Sequence, residues 1–336
     1  MATLPESTKS GCYVTNLPTA GTVLDCAGRS LNLGAPRVMG VLNITPDSFS
    51  DGGQLFNSGG IASDSLCQRA EHMLNAGAAL LDIGGESTRP GAVAVGEQEE
   101  LDRVLGALAI LAPRFDTIFS VDTSTPTVMT EACRYGAGMI NDVRALRRPG
   151  ALEAAAATAL PVCLMHMQGS PDTMQLDPSY DDVTGGVCSF LRGRIEACRE
   201  QGISDERIVL DPGFGFGKTV EHNFKLLAEL SQVAAMGYPV LAGLSRKSMI
   251  AGVLDRSVEQ RLPASIGLAV IAAMQGARLI RVHDVPETVD ALAMIGAMTE
   301  AMTGVMTGVM TGAITGVMTG AMTGAVRVGA TEQLDQ

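Results

Sequence analysis

An α/β barrel of the TIM (β/α)8 type is the architecture this sequence predicts, and three observations carry the prediction. Eight short apolar runs rich in Val, Ile and Leu recur between residues 37 and 283. Stretches with helical periodicity separate them. Eight strand–helix pairs in about 265 residues suit that barrel, whereas an open doubly wound sheet usually has fewer repeats.

The runs are 37–43 (RVMGVLN), 79–83 (ALLDI), 117–122 (TIFSVD), 138–142 (GMIND), 161–166 (PVCLMH), 207–211 (RIVLD), 238–244 (YPVLAGL) and 279–283 (LIRVH). Continuous apolar runs of this length suit parallel strands buried on both faces. Between them, Leu66, Ala70, Met73 and Leu74 share one helical face, with Ser63 as N-cap and Gly77 past the end. Leu101, Val104, Leu105 and Leu108 form a second stripe. Ser124-Thr125-Pro126 opens a third helix that Gly136 closes, and Leu226, Leu227 and Leu230 mark a later one.

Residues 1–34 read as an N-terminal extension: GCYVTNL and GTVLDCAG flank a Pro-Thr-Ala-Gly turn, a predicted β-hairpin that could cap the barrel floor. The barrel then occupies 35–300. Residues 301–336 form a low-complexity Thr/Gly/Met tail whose first 26 residues carry no charge. That length meets the rule for a membrane helix, and the glycines recur as GxxxG. Yet six interior glycines cost a helix in water about 6 kcal/mol. We read a frayed or partly helical tail, with self-association and a membrane span as the alternatives.

Composition narrows the class. Of 336 residues 46% are hydrophobic and 18% charged, enough to bury a large core. Net charge is −12, which argues against general affinity for nucleic acid or anionic membrane. Seven scattered cysteines without a CxxC pair read as reduced thiols of a cytoplasmic protein, and MATLPESTKS lacks the pattern of a signal peptide.

The runs end in chemistry. Asn43, Asp122, Asn141-Asp142, His166, Asp211, Ser245-Arg246-Lys247 and Arg281-Val282-His283 close them, and a barrel gathers such ends at one mouth. Only one of Asn141 and Asp142 can point inward. The acids Asp122 and Asp211 follow the third and sixth runs, while Arg246, Lys247, Arg281 and His283 follow the last two, where barrels frequently hold phosphate. The arrangement suits a ligand with an anionic end and an N–H-rich end. Loops 45–53 (TPDSFSDGG) and 84–91 (GGESTRPG) are long and polar, as lids are. DPGFGFGKT at 211–219 misses the phosphate-loop pattern because Pro stands at 212, so its glycines are read as a tight turn.

VMGVLNITPDSFSDGG, LDIGGESTRPGA, SVDT, MINDV, LMHMQGSP, DPGFGFGK, GLSRKS and RVHDV, in that order, resemble the dihydropteroate synthase family over about 36–295. The resemblance implies a homodimeric, sulfonamide-targeted enzyme of folate biosynthesis. It would condense dihydropterin pyrophosphate with 4-aminobenzoate, assisted by Mg²⁺. It implies that Asn43 holds Mg²⁺ with the diphosphate, that Arg281 and His283 grip the diphosphate, and that Asp122, Asn141, Asp211 and Lys247 read the pterin. By the same resemblance Met165 would pack on the pterin, and Thr88 and Arg89 would join from the second loop. Pro90, Phe216, Ser248 and Phe49 would shape the aminobenzoate pocket. A pterin-binding methyltransferase-type barrel and a non-catalytic paralogue are the alternatives; neither needs both the Lys247-Ser248 and the Arg281-His283 set. Lys247→Ala and Arg281→Ala are each expected to cut activity while leaving thermal stability nearly unchanged.

Overall fold

A computed structural model describes residues 23–44, 56–57, 60–86, 95–169, 173–175 and 177–303. The chain divides into two compact units, Met1–Ala293 and Met294–Gln336. The first holds the barrel; of the second, only the end of the last helix is described.

The N-terminal hairpin pairs β1 (Val23–Cys26) with β2 (Arg29–Asn32). It turns at Ala27-Gly28, at the end of the GTVLDCAG run; the Pro-Thr-Ala-Gly segment that the sequence suggested as a turn lies outside the described residues. Both turn residues have positive φ, 57° and 84°, the conformation that two-residue hairpins require. The Asp25 side chain accepts the Gly28 N–H at 2.7 Å and fixes the turn.

The barrel begins with β3 (Arg37–Asn43). A minimal ladder, β4 (Phe56–Asn57) with β5 (Gly60–Ile61), precedes α1 (Ser63–Asn75). Alternation then proceeds through β6 (Leu80–Gly84), α2 (Glu97–Leu111), β7 (Ile118–Asp122), α3 (Pro126–Arg134), β8 (Ala137–Asp142) and α4 (Ala151–Thr158). It continues with β9 (Val162–Met165), α5 (Val183–Glu200), β10 (Ile208–Asp211), α6 (Val220–Ala228) and α7 (Leu230–Ala234). Last come β11 (Leu241–Ala242), α8 (Ser248–Leu254), α9 (Leu262–Met274), β12 (Leu279–Val282) and α10 (Val285–Thr303).

Eight parallel strands form one sheet in the order β10-β9-β8-β7-β6-β3-β12-β11. A parallel bridge from Leu210 to Val240 joins its two ends and closes the ring. Each strand coincides with one predicted run. β11 is shorter than its run: only Leu241 and Ala242 pair with β12, and Val240 forms an isolated bridge to Leu210. β6 and β8 are buried along their whole length, as strands covered by helices outside and by packed side chains inside must be.

Two helical details differ from the sequence reading. Ser63 is the first helical residue and Ala62 the N-cap, without a side-chain cap. The buried face of α2 carries Val104 and Leu108 as expected, but also Glu100, Ala107 and Leu111. Leu24, Cys26, Leu31 and Leu33 of the hairpin pack with Met39, Leu80, Ile118, Met139, Cys163, Val209, Leu241 and Leu279. These lie toward the N-terminal ends of the strands, so the hairpin plugs the floor and leaves the opposite rim as the open face.

Candidate active site

At that rim a chain of contacts runs across the barrel mouth. The Asn43 Oδ1 lies 3.2 Å, and the Asp122 Cβ 3.7 Å, from the point a Cβ on Gly84 would occupy. The Asp122 carboxylate accepts from Arg281 Nη2 at 2.9 Å. Arg281 Nε donates to Asp82 Oδ2 at 2.6 Å, and Asn141 Nδ2 donates to the same oxygen at 3.0 Å. Asp82 Oδ1 is buried and has no hydrogen-bond partner among the described residues. Arg281 Cβ and Lys247 Nζ each lie 3.9 Å from the point a Cβ on Gly243 would fill. Bare glycines at the strand ends thus leave space between the charged groups.

The electrostatics follow from this crowding. Burial opposes the Arg281 charge, but Asp82 and Asp122 outweigh it and hold the guanidinium above its ordinary value. Burial pushes Asp122 up to about 8; Arg281 opposes the shift, while Asp82, Asp142 and Glu100 add to it. Burial raises Asp211 as well, against Lys247. Lys247 is lowered to about 8 by burial, with Asp211 opposing. The acids and cations are interleaved, not held on opposite sides of the mouth as the run order suggested. Because Arg281 is bonded to a fully buried carboxylate, its removal cannot leave stability untouched, which corrects that expectation.

The pleat of β8 separates its two polar residues. Asn141 faces the mouth. Asp142 turns away, accepting from Ser124 Oγ and from the backbone N–H groups of Arg144 and Leu146 at 2.8 and 2.7 Å. Its role is to shape the following loop, where Ala145 and Leu146 have positive φ.

On the other flank, Lys247 Nζ donates to the Phe214 carbonyl and lies 4.7 Å from the centroid of the Phe216 ring. Phe216 packs against Val143, Met165, Met167 and Met174, so Met165 and Phe216 belong to one wall. Asp211 Oδ1 accepts the Gly213 N–H at 2.7 Å. His283 Nδ1 sits 3.1 Å from Ser245 Oγ. Ser248 is exposed as the first residue of α8. Arg246, counted among the mouth's cations in the sequence, is ion-paired with Asp284, its Nε 2.9 Å from Oδ2. Thr88, Arg89, Pro90 and Phe49 lie outside the described residues.

A family model described as "Pterin binding enzyme" matches residues 39–283. The dihydropteroate synthase of Escherichia coli (strain K12) is 52% identical over 273 residues, covering 80% of this chain and 94% of the relative. The chain belongs to the dihydropteroate synthase family. Among solved dihydropteroate synthases, one from Yersinia pestis, in a sulfonamide drug complex, is 54% identical with TM-score 0.80, covering 83% of this chain and 99% of that one. One from Xanthomonas albilineans, with 4-aminobenzoic acid, is 49% identical with TM-score 0.77, covering 83% and 98%.

In this dihydropteroate synthase-family chain, two groups near the mouth, Asp82 and Glu100, escaped the sequence reading, and the partners of a third, Arg144, were not legible in it. Asp82 sits within the ALLDI run; a lone acid inside an apolar strand was its signal. Glu100 is buried on α2 and accepts from the hydroxyls of Thr123 and Thr125, fixing the segment after β7. Arg144 donates to Glu86 at 3.0 Å and to Ser124 at 3.1 Å, tying the loops after β6 and β8 together. Neither contact has a local signature in sequence.

Proposed function

We propose that the chain condenses (7,8-dihydropterin-6-yl)methyl diphosphate with 4-aminobenzoate, releasing 7,8-dihydropteroate and pyrophosphate. The observation that carries this reading is Arg281 held between Asp82 and Asp122, with Asn141 on the same Asp82 oxygen and Lys247 across Gly243. Such a site presents acceptors to the N–H edge of a pterin and cations to its diphosphate. Membership of the family supports it.

Asp122, Asn141 and Asp211 read the pterin edge. Lys247 reaches the ring, and Met165 packs on it. Arg281 and His283 grip the diphosphate and neutralise the charge that grows on it as the C–O bond breaks. The methylene left behind is cationic, and the side-chain oxygens of Asp122 and Asp211 stabilise it while the weakly nucleophilic aryl amine attacks. Phe216 and Ser248, with Pro90 and Phe49, shape the pocket of that amine, and Thr88 and Arg89 close over the site. No histidine is needed as base, because the adduct is acidic and sheds its proton readily. His166 is unsuited to that role: burial first, then Lys218, lowers it to about 3.

Mg²⁺ keeps most of its waters and needs one or two protein oxygens besides substrate phosphates. Asn43 fits that demand, since its amide oxygen borders the gap beside Gly84. Bound there with the diphosphate, Mg²⁺ supplies charge neutralisation to the leaving group. We place the enzyme in the cytoplasm as a homodimer. The compartment rests on the scattered cysteines, which include no CxxC pair. No described helix is long and apolar enough to cross a membrane. The test is pyrophosphate release on mixing the two substrates with Mg²⁺; a folded protein that gives no turnover refutes the proposal.

A further inference from the structure

The glycine-rich loop after β10, set aside above as a failed phosphate loop, has its carbonyls taken up by side chains from several parts of the fold. Phe214 O accepts from Lys247 Nζ, and Gly217 O from the Tyr180 hydroxyl at 2.8 Å. Gly213 O and Phe216 O both accept from Lys218 Nζ, at 2.8 and 3.0 Å. The third contact of that Nζ is His166 Nδ1 at 3.0 Å, at the exit of β9. Lys218 is only 3% exposed, so it cannot touch substrate, and its three donor positions are all engaged.

The loop is pressed against the same strand exit. A Cβ on Gly213, at φ +68°, would lie 1.9 Å from the His166 carbonyl oxygen. Lys218 thus clasps the loop from beneath while Lys247 meets it from the mouth. Between them are the carbonyls of Phe214 and Phe216, on either side of Gly215, and the Phe216 ring that faces Lys247.

We infer that Lys218 is a positioning residue: through the 213–217 loop it sets where Lys247 Nζ and the Phe216 ring stand, and so aligns the pterin subsite with the aryl-amine subsite. The inference rests on the function proposed above. Two further observations support it. Lys218 Nζ stands 3.0 Å from His166 Nδ1, and burial lowers His166 to about 3 and Lys218 to about 7, so of the pair the lysine holds the proton. Gly215 N–H donates to Asn223 Oδ1 at 2.7 Å, and Asn223 Nδ2 donates to Thr219 O at 2.7 Å, which locks the far end of the loop to the first turn of α6. A buried amine spent wholly on loop carbonyls and one imidazole fixes geometry that an apolar side chain of equal volume cannot.

The test is a double-mutant cycle read by steady-state pyrophosphate release. Lys218→Met is measured in the native chain and again with Lys247→Ala. If Lys218 acts through Lys247, kcat/KM falls by at least about tenfold in the native background but by about threefold or less once Lys247 is gone. The loss should appear against both substrates. Equal losses in the two backgrounds, or no loss in the native one, overturn the inference while leaving the proposed function standing. A native chain that releases no pyrophosphate overturns that function, and this inference with it. Should Lys218→Met not fold, Lys218→Gln, which keeps an N–H donor, enters the same cycle with the same criteria.

Discussion

Replacing Arg281 with alanine removes the cation bonded to both Asp82 and Asp122, and the structure sets the size of the consequence. Asp82 is fully buried, and the side chains of Asp122 and Arg281 are 13% and 21% exposed. Breaking a buried ion pair by deleting one partner costs about 3–5 kcal/mol, because the remaining charge is left desolvated. For a domain of this size that corresponds to a melting decrease of about 10 °C. The decrease should depend on pH, and its sign can be worked out. Without the guanidinium, which opposes the rise that burial causes, Asp122 favours protonation still more, so its folded value lies further above the unfolded one. Groups shifted in that direction stabilise fully below the unfolded pKa and lose the contribution as pH rises through the folded pKa. Asp122 stands at about 8 even with Arg281 beside it. The deficit should therefore be small near about pH 5 and larger near about pH 9, because it opens as pH rises through the native value. Thermal melts of native and Arg281→Ala protein at both pH values read it directly, and pyrophosphate release should fall by about 100-fold or more. An unchanged melting temperature at the higher pH, or an equal shift at both, would show that the pair is not the buried charge cluster described.

Lys247→Ala should lower kcat/KM about 100-fold with little effect on melting, because Lys247 is only half-buried and its bond is to one loop carbonyl. In the native enzyme, kcat/KM for the diphosphate substrate should decline as pH rises through about 8, where burial makes Lys247 lose its proton, and not near the ordinary value of about 10.4; a flat profile to pH 10 contradicts this. Gly213→Ala should destabilise by more than about 1 kcal/mol in a denaturant titration, since φ is +68° and the added Cβ meets the His166 carbonyl. Deleting residues 304–336 should leave pyrophosphate release and the number of subunits in solution unchanged; a change in that number would assign the tail a role in association.

Much of the fold is legible in the sequence because a strand buried on both faces must be apolar throughout, and the eight runs state this one after another. The polar residues that end them are equally legible, since a barrel sends every such end to the same rim. Tertiary structure decides which of those residues are partners. Arg281 and Asp82 are 199 positions apart, and neither carries a local mark of the other. The inward turn of Asn141 and the outward turn of Asp142 depend on the phase of the β8 pleat relative to the barrel axis, which a run buried from end to end does not reveal. Lys218 looks like part of a nucleotide loop in sequence and becomes a buried clasp only when His166 of β9 is brought beneath it. Sequence alone determined the barrel, its polar rim and the family; closure of the ring determined the pairing of charges, because that pairing is set by distances across the barrel and not along the chain.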